Sequence, residues 1–268
     1  IPATRFRTAE EQWALVDDVI EAVLKSVPGF VRSDLEALEW CLSEITDNVI
    51  NHSASPGGGV AQLSNRSKSR KIEFAICDVG ASIPKTLRPS HPEIYEDFDA
   101  LSWAIREGVT RDPAIGQGNG LFGSSEVCAG SGGFISIQSG RGSLHKNQDG
   151  LSLKNQKIPF AGTLIDGCIS YAEPGQLARA LKFHVSGSDF ISLRYELDDD
   201  VPVIHVRSEV QSVGARFAAS PIRIKAANLI KMTTLDKIVV DFSDINVVSS
   251  SFADEALGKL AAEVGLNV

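Results

Sequence analysis

The chain of 268 residues has no excess of positive charge: 26 Lys and Arg stand against 34 Asp and Glu, a formal net charge of −8. A chain this acidic lacks the electrostatic footprint of a nonspecific nucleic-acid binder, so DNA and RNA are not expected partners. There are only four cysteines, Cys41, Cys77, Cys128 and Cys168, and no two form a C-x-x-C pair. Three sit inside apolar runs, where a reduced, buried thiol is the expectation. The five histidines are scattered and give no zinc-ligand spacing. No stretch approaches the roughly 18 apolar residues of a membrane helix. No signal peptide opens the chain, so a cytoplasmic, reducing setting is expected. There are no internal repeats and no Gly-Lys-Ser/Thr phosphate loop. The chain opens on Ile1, so its natural start is expected upstream. What remains is the composition of a globular protein, 43% hydrophobic and 22% charged, long enough for one large or two modest domains.

Apolar residues at helical spacing predict a helix over 10–27, stopped by Pro28-Gly29, and a second from Ser33 to about His52. Alternating runs predict strands over 59–63 and 71–78, joined as a hairpin. Residues 79–119 are rich in Gly, Pro and charge, with a short helical pattern over 97–107. A helix is expected over 120–129 and strands over 133–138 and 160–170, with 143–159 a polar, turn-rich connection. Composition changes near Glu173-Pro174-Gly175, which predicts domains over 1–174 and 175–268. Beyond it, strands are expected over 182–185, 189–197, 201–208 and 237–242, and helices over 214–232 and 251–264. Both parts mix helix and strand.

Three clusters carry chemistry. Glu44 and Asn48, spaced i, i+4, project from one face of the second helix. They put a carboxylate that could act as a base one turn from an amide oxygen that could hold a metal. Asp78 ends an apolar strand and is followed by Val79-Gly80-Ala81-Ser82-Ile83, where a carboxylate meets a close backbone. Gly116-Gln117-Gly118-Asn119-Gly120-Leu121 leads directly into a helix, and alternating glycines there let the backbone approach a polyphosphate. Taken singly, the three are equally a solvated helix face, a strand-end turn and a flexible linker.

Their order in the chain resembles the GHKL ATPase superfamily, which includes the gyrase-type, histidine-kinase and MutL-type ATP-binding domains. The Glu-x-x-x-Asn box is matched by Glu44 and Asn48. The Asp-x-Gly-x-Gly box is matched by Asp78, Gly80 and Ile83, with Ser82 in place of the second glycine. The lid end is matched by Gly116, Gly118, Gly120 and Leu121, and a late Gly-Thr by Gly162 and Thr163. The resemblance covers about residues 10–172 and implies an α+β fold, the Bergerat α/β sandwich. It further implies that Asp78 accepts a hydrogen bond from the adenine amino group, with Thr163 nearby through water. Asn48 would hold Mg²⁺ on the phosphates, Glu44 would be the general base, and the glycines would wrap the phosphates. Lys85, Arg106, Arg111 and Arg141 are further candidates for phosphate contact or plain surface charges. No histidine-bearing hairpin precedes residue 10, so an ordinary sensor histidine kinase is not expected.

Towards the C-terminus, Val239-Val240-Asp241-Phe242 followed by Val247-Val248-Ser249-Ser250-Ser251-Phe252-Ala253-Asp254-Glu255 resembles the STAS fold, and more closely the STAS-like family DUF4325. The resemblance makes Ser250 and Ser251 candidate phosphoacceptors at a helix start; serines there are equally plain helix caps. Together the two resemblances imply an ATP- and Mg²⁺-binding regulatory switch, an ATPase or a protein-serine kinase, acting on its smaller STAS-like domain or on a protein partner, with homodimers common in such families. The alternative is a non-catalytic nucleotide sensor or interaction scaffold.

Overall fold

The computed structural model describes residues 1–109, 119–181, 190–196, 201–233 and 237–265. The fold is α+β and divides into two compact units, Ile1–Val19 with Glu36–Val185, and Ile20–Leu35 with Ser186–Val268. The expected boundary after residue 174 lies a little before this division, and the second unit also takes in the end of the first helix, the turn after it and the start of the second helix.

Up to residue 181 the chain runs β1 (Thr4–Phe6), α1 (Ala9–Ser26), α2 (Arg32–His52), β2 (Gly59–Arg66), β3 (Lys71–Asp78), α3 (Ile83–Leu87), α4 (Asp97–Ala104), α5 (Gly120–Gly130), β4 (Phe134–Asn147), β5 (Gly150–Ser170) and α6 (Gln176–Ala180). The strands form one antiparallel sheet in the order β1-β2-β3-β5-β4. Strict alternation buries Ile72, Phe74 and Ile76 of β3, with Ile165 and Ile169 of β5 and Ile135 and Ile137 of β4, on one face. Leu38, Cys41, Leu42 and Ile45 of α2 and Val127 and Cys128 of α5 complete that core. Ser124 of α5 donates to Cys41 O, and a Cβ at Gly59 would run into Phe6 and Val49, so the helices lie close on the strands.

The stretch 143–159, expected to be turn-rich, is instead the distal half of a long hairpin in which Gly142 pairs with Asn155 and Asn147 with Gly150. The register shifts at Ser139/Gly140 and Gly140/Gly142, where Gly140 takes φ +58°. A Cβ at Gly142 would meet the Asp97 backbone, so the bulge lets the hairpin close on α4.

In the second unit, β6 (Val203–His205), α7 (Val206–Glu209), α8 (Arg216–Met232), β7 (Val239–Asp241), α9 (Ser250–Ala253) and α10 (Lys259–Val264) follow one another, with a π-helical turn at Asp254–Gly258. β6 and β7 pair in parallel, Ile204 opposite Val240, with α8 in the connection that a parallel pair requires. The expected strand over 189–197 is a π-helical turn at Ser192–Glu196, and only residues 203–205 of the expected strand 201–208 are extended. The expected strand over 182–185 lies outside the described residues.

The C-terminal end of α1 is fastened within this unit by Asn228, fully buried on α8. Its Nδ2 donates to Leu24 O and Val27 O, both at 2.9 Å, and its Oδ1 accepts from Gly29 N at 3.0 Å. These bonds satisfy carbonyls that a helix end leaves without partners.

Candidate functional site

Glu44 and Asn48 lie one turn apart on α2, both half-buried. Asn48 Nδ2 donates to Glu44 O at 2.8 Å, which leaves its amide oxygen as the end suited to a cation. Burial, and secondarily the negative charge of Asp47, push the Glu44 carboxyl above its ordinary value. Gly120, at the start of α5, packs on this carboxylate: a Cβ there would overlap Glu44 Oε2. The first and third sequence clusters therefore meet in space. Asn119 precedes Gly120, and its Oδ1 accepts from Gly108 N at 3.2 Å. Gly116 and Gly118 lie outside the described residues, as does Arg111.

Asp78 ends β3 as a buried carboxylate, 6% exposed. Its Oδ1 accepts from Gly80 N at 2.7 Å, and the Thr163 backbone N–H also reaches it. Burial raises its pKa, and these two bonds oppose the rise. Gly80 has no room for a side chain because a Cβ would collide with Ser53 O at the end of α2, to which Ala81 N donates at 2.5 Å. Gly162 adopts φ +90°, and a Cβ there would strike Asp78 O. Both glycines are thus set by close backbone approach. Ser82, where the resemblance expects glycine, has φ −72° and ψ 153°, an extended conformation open to any residue.

Thr163 lies opposite Asp78 on one side and Ser139 on the other. Ser139 was not singled out in the sequence; a serine ending an apolar strand gives no spacing signal. Its Oγ lies 2.8 Å from Gly162 O and 2.9 Å from Thr163 Oγ1, and it accepts from Ile83 N at 2.8 Å. A second residue missed in the sequence is Ser55, next to Gly80, whose buried Oγ has no hydrogen-bond partner among the described residues. Ile83 and Leu121 pack against one apolar cluster of Leu87, Ile94, Ala100 and Ala104, so the aliphatic positions of the second and third clusters also share a neighbourhood.

The basic candidates are less convergent. Arg106 stacks on Trp103 at 5.0 Å, Arg141 donates to Lys157 O at 2.8 Å, and Lys85 is exposed on α3. Among the described residues, no group of three or more His, Cys, Asp or Glu side chains is placed to hold a metal ion, and no helix is long and apolar enough to cross a membrane.

In the second unit, Ser249 caps α9, accepting from Phe252 N at 3.1 Å and lying 3.1 Å from Ser251 Oγ. Ser250 is exposed and Ser251 half-buried. Asp241, at the end of β7, lies 2.8 Å from His205 Nδ1 and accepts from Ser243 Oγ and N; the two Ser243 bonds first, and then His205, hold its pKa down to about 2. Residues 222–268, from α8 through the capped serines, match the STAS-like domain of unknown function (DUF4325). This region is STAS-like, and it carries all three serines. No curated protein matches the chain.

Proposed function

We propose that the first unit is an ATP-binding domain of the GHKL type, with the Bergerat α/β sandwich as its fold, and that the protein is a nucleotide-driven regulatory switch with ATPase or protein-serine kinase activity. The observation that carries this reading is the packing of Gly120 on the Glu44 carboxylate, which joins two clusters far apart in sequence. Gly80 and Gly162, each closed against backbone beside Asp78, support the base-binding end.

In this reading Asp78 accepts from the base amino group, and the start of α5 at Gly120 faces the phosphates. The donor set suits Mg²⁺: Asn48 offers a hard amide oxygen, and Mg²⁺ on a nucleotide takes only one or two protein ligands. Bound there, Mg²⁺ would neutralise charge on the phosphate oxygens. Glu44 takes the proton of the attacking oxygen as that oxygen bonds to the γ-phosphorus and the bond to the β-phosphate oxygen breaks, the electron pair leaving with ADP. A carboxyl held above its ordinary pKa is better matched to this task near neutrality than an exposed one.

The acceptor is water in the ATPase version and a serine hydroxyl in the kinase version, with Ser250 and Ser251 as candidates because Ser249 is engaged in capping. Nucleotide state then acts on the STAS-like region, on a partner protein or on a second copy of the chain, by binding one state better than another. The test is incubation of the chain with Mg²⁺ and γ-labelled ATP, following free phosphate and labelled protein together, beside Glu44→Gln and Asp78→Asn. Turnover that Glu44→Gln abolishes while ATP still binds supports catalysis. Binding without turnover in the wild type makes the protein a nucleotide sensor. Absence of ATP binding sinks the proposal.

A further inference from the structure

Ser139, Thr163 and Asp78 stand in one row across three adjacent strands, Ser139 opposite Thr163 on β4–β5 and Thr163 opposite Asp78 on β5–β3. All three are buried, Ser139 completely, while the next row inward is Ile137, Ile165 and Ile76. Three polar side chains at the end of an apolar sheet face are held there only if their hydrogen bonds are accounted for.

The account at Ser139 closes in one way. Its hydroxyl has a single proton and two lone pairs. Ile83 N–H can only donate to it, and Gly162 O can only accept from it, both at 2.8 Å. Its proton is therefore committed to Gly162 O. The remaining contact, 2.9 Å to Thr163 Oγ1, requires the threonine to be the donor. The reverse assignment would bring two lone-pair oxygens to 2.8 Å with no proton between them. With its proton spent on Ser139, Thr163 presents only lone pairs to anything else that reaches it.

We propose that Ser139 is the positioning residue that fixes the Thr163 proton, so that Thr163 and the Asp78 carboxylate form a pair of acceptors that selects the 6-amino purine over the 6-oxo purine. This rests on the nucleotide reading of Asp78 and Thr163 above. A 6-amino base offers protons to both oxygens. A 6-oxo base turns a lone pair towards them, and a buried acceptor left facing another is the arrangement that costs most in discrimination. Removing the Ser139 hydroxyl releases the Thr163 proton, and the threonine can then rotate and donate to an oxo group.

The experiment is equilibrium binding of the full chain to ATP and to GTP with Mg²⁺, by competition against a fluorescent ATP analogue. It compares the wild type with Ser139→Ala and Thr163→Val and reads the ratio of the two affinities beside thermal midpoints. The wild type is expected to prefer ATP, and Ser139→Ala to lower that preference by about tenfold. Thr163→Val, which removes the oriented acceptor itself while Ser139 keeps its bonds to Gly162 O and Ile83 N, should lower it similarly and carries the test if Ser139→Ala fails to fold. A lowered thermal midpoint alone does not count, because any buried serine produces one. If either variant weakens ATP and GTP in parallel with the ratio unchanged, the positioning role is overturned and the nucleotide reading stands. A wild type that binds both equally overturns the role too, and one that binds neither overturns both.

Discussion

Gly120 sits against Glu44 so closely that a Cβ on the glycine would overlap Glu44 Oε2, with the next approaches at 3.2 and 3.3 Å to atoms of the same side chain. The three atoms nearest to a methyl group at residue 120 all belong to the side chain proposed as the base. A helix start that must be glycine on account of one acidic side chain is a constraint on the site rather than on the core.

Gly120→Ala should accordingly shift the Glu44 carboxylate while leaving the fold in place, since the severe overlap is with the end of a side chain that can turn and the fixed Glu44 Cβ is 3.3 Å away. Alanine is also the better helix former by roughly 1 kcal/mol, so thermal stability should hold or rise. ATP turnover should fall at least tenfold with binding little changed. Phosphate release measured beside the melting temperature checks this, and a turnover rate equal to wild type would sink the link between Gly120 and the base.

Asp47 gives a second handle on the same carboxyl. Burial raises Glu44, and the neighbouring Asp47 charge raises it further. A base must be deprotonated to act, so turnover should climb with pH through an apparent pKa above the ordinary 4.5. Asp47→Asn removes one cause of the rise and should move that acidic limb to lower pH. The pH profile of kcat/KM for both proteins is the measurement, and an unmoved limb would mean that another group controls it.

The parts legible in the sequence are those where one face is buried. α2 and β3 show their periods because Leu38, Leu42 and Ile45, or Ile72, Phe74 and Ile76, must face the core. The distal hairpin had no such signal: residues such as Lys154, Asn155, Lys157 and Ile158 are exposed, so no alternation marks them as strand. Around Phe190, Ile191 and Tyr195 the apolar residues suggested a strand, yet the chain coils into a π-helical turn and buries all three. At the candidate site, Glu44, Asn48, Asp78, Gly80, Gly120 and Thr163 were visible as ordered motifs. Ser139 was not, because its importance lies in partners on β5 and ahead of α3. Asn228 and Lys225 were invisible for the same reason, since their partners on α1 are about two hundred residues away in sequence.

The three serines at α9 separate by what they hold. Ser249 caps the helix through Phe252 N, whereas Ser250 is exposed on its first turn. Ser249→Ala should cost about 1 kcal/mol of stability in the second unit, and Ser250→Ala should stay within about 0.5 kcal/mol. Chemical denaturation of the two variants separates them, and equal losses would show that Ser249 is not the cap that matters. If labelled phosphate appears on the protein, Ser250 is where it should be found.

Lys225 is a buried charge in the second unit, paired with two carboxylates. Its side chain is 5% exposed, and its Nζ lies 2.8 Å from Glu209 Oε1 and 2.9 Å from Glu21 Oε2. Tyr195 donates to Glu21 Oε1 at 2.6 Å, and Lys25 lies 2.7 Å from Glu209. Burial pushes both carboxyls up, but Lys225 with these neighbours outweighs it and holds each below the ordinary 4.5. Carboxylates with depressed pKa values stabilise the folded state above their unfolded value, and the contribution is lost as pH falls through the folded one. Lys225→Ala removes the most buried partner of two half-buried carboxylates, and removing one partner of a buried pair costs about 3–5 kcal/mol, an upper bound here because Lys25 still pairs with both and Tyr195 still donates to Glu21. It should also flatten the pH dependence. Without Lys225 only Lys25 and Tyr195 oppose burial, so the variant has less stability to lose as acid protonates Glu21 and Glu209. Urea midpoints at pH 7 and at about pH 3.5 should therefore show a deficit that narrows on acidification. A deficit of the same size at both would mean that Lys225 contributes through packing on Tyr195 rather than through its charge.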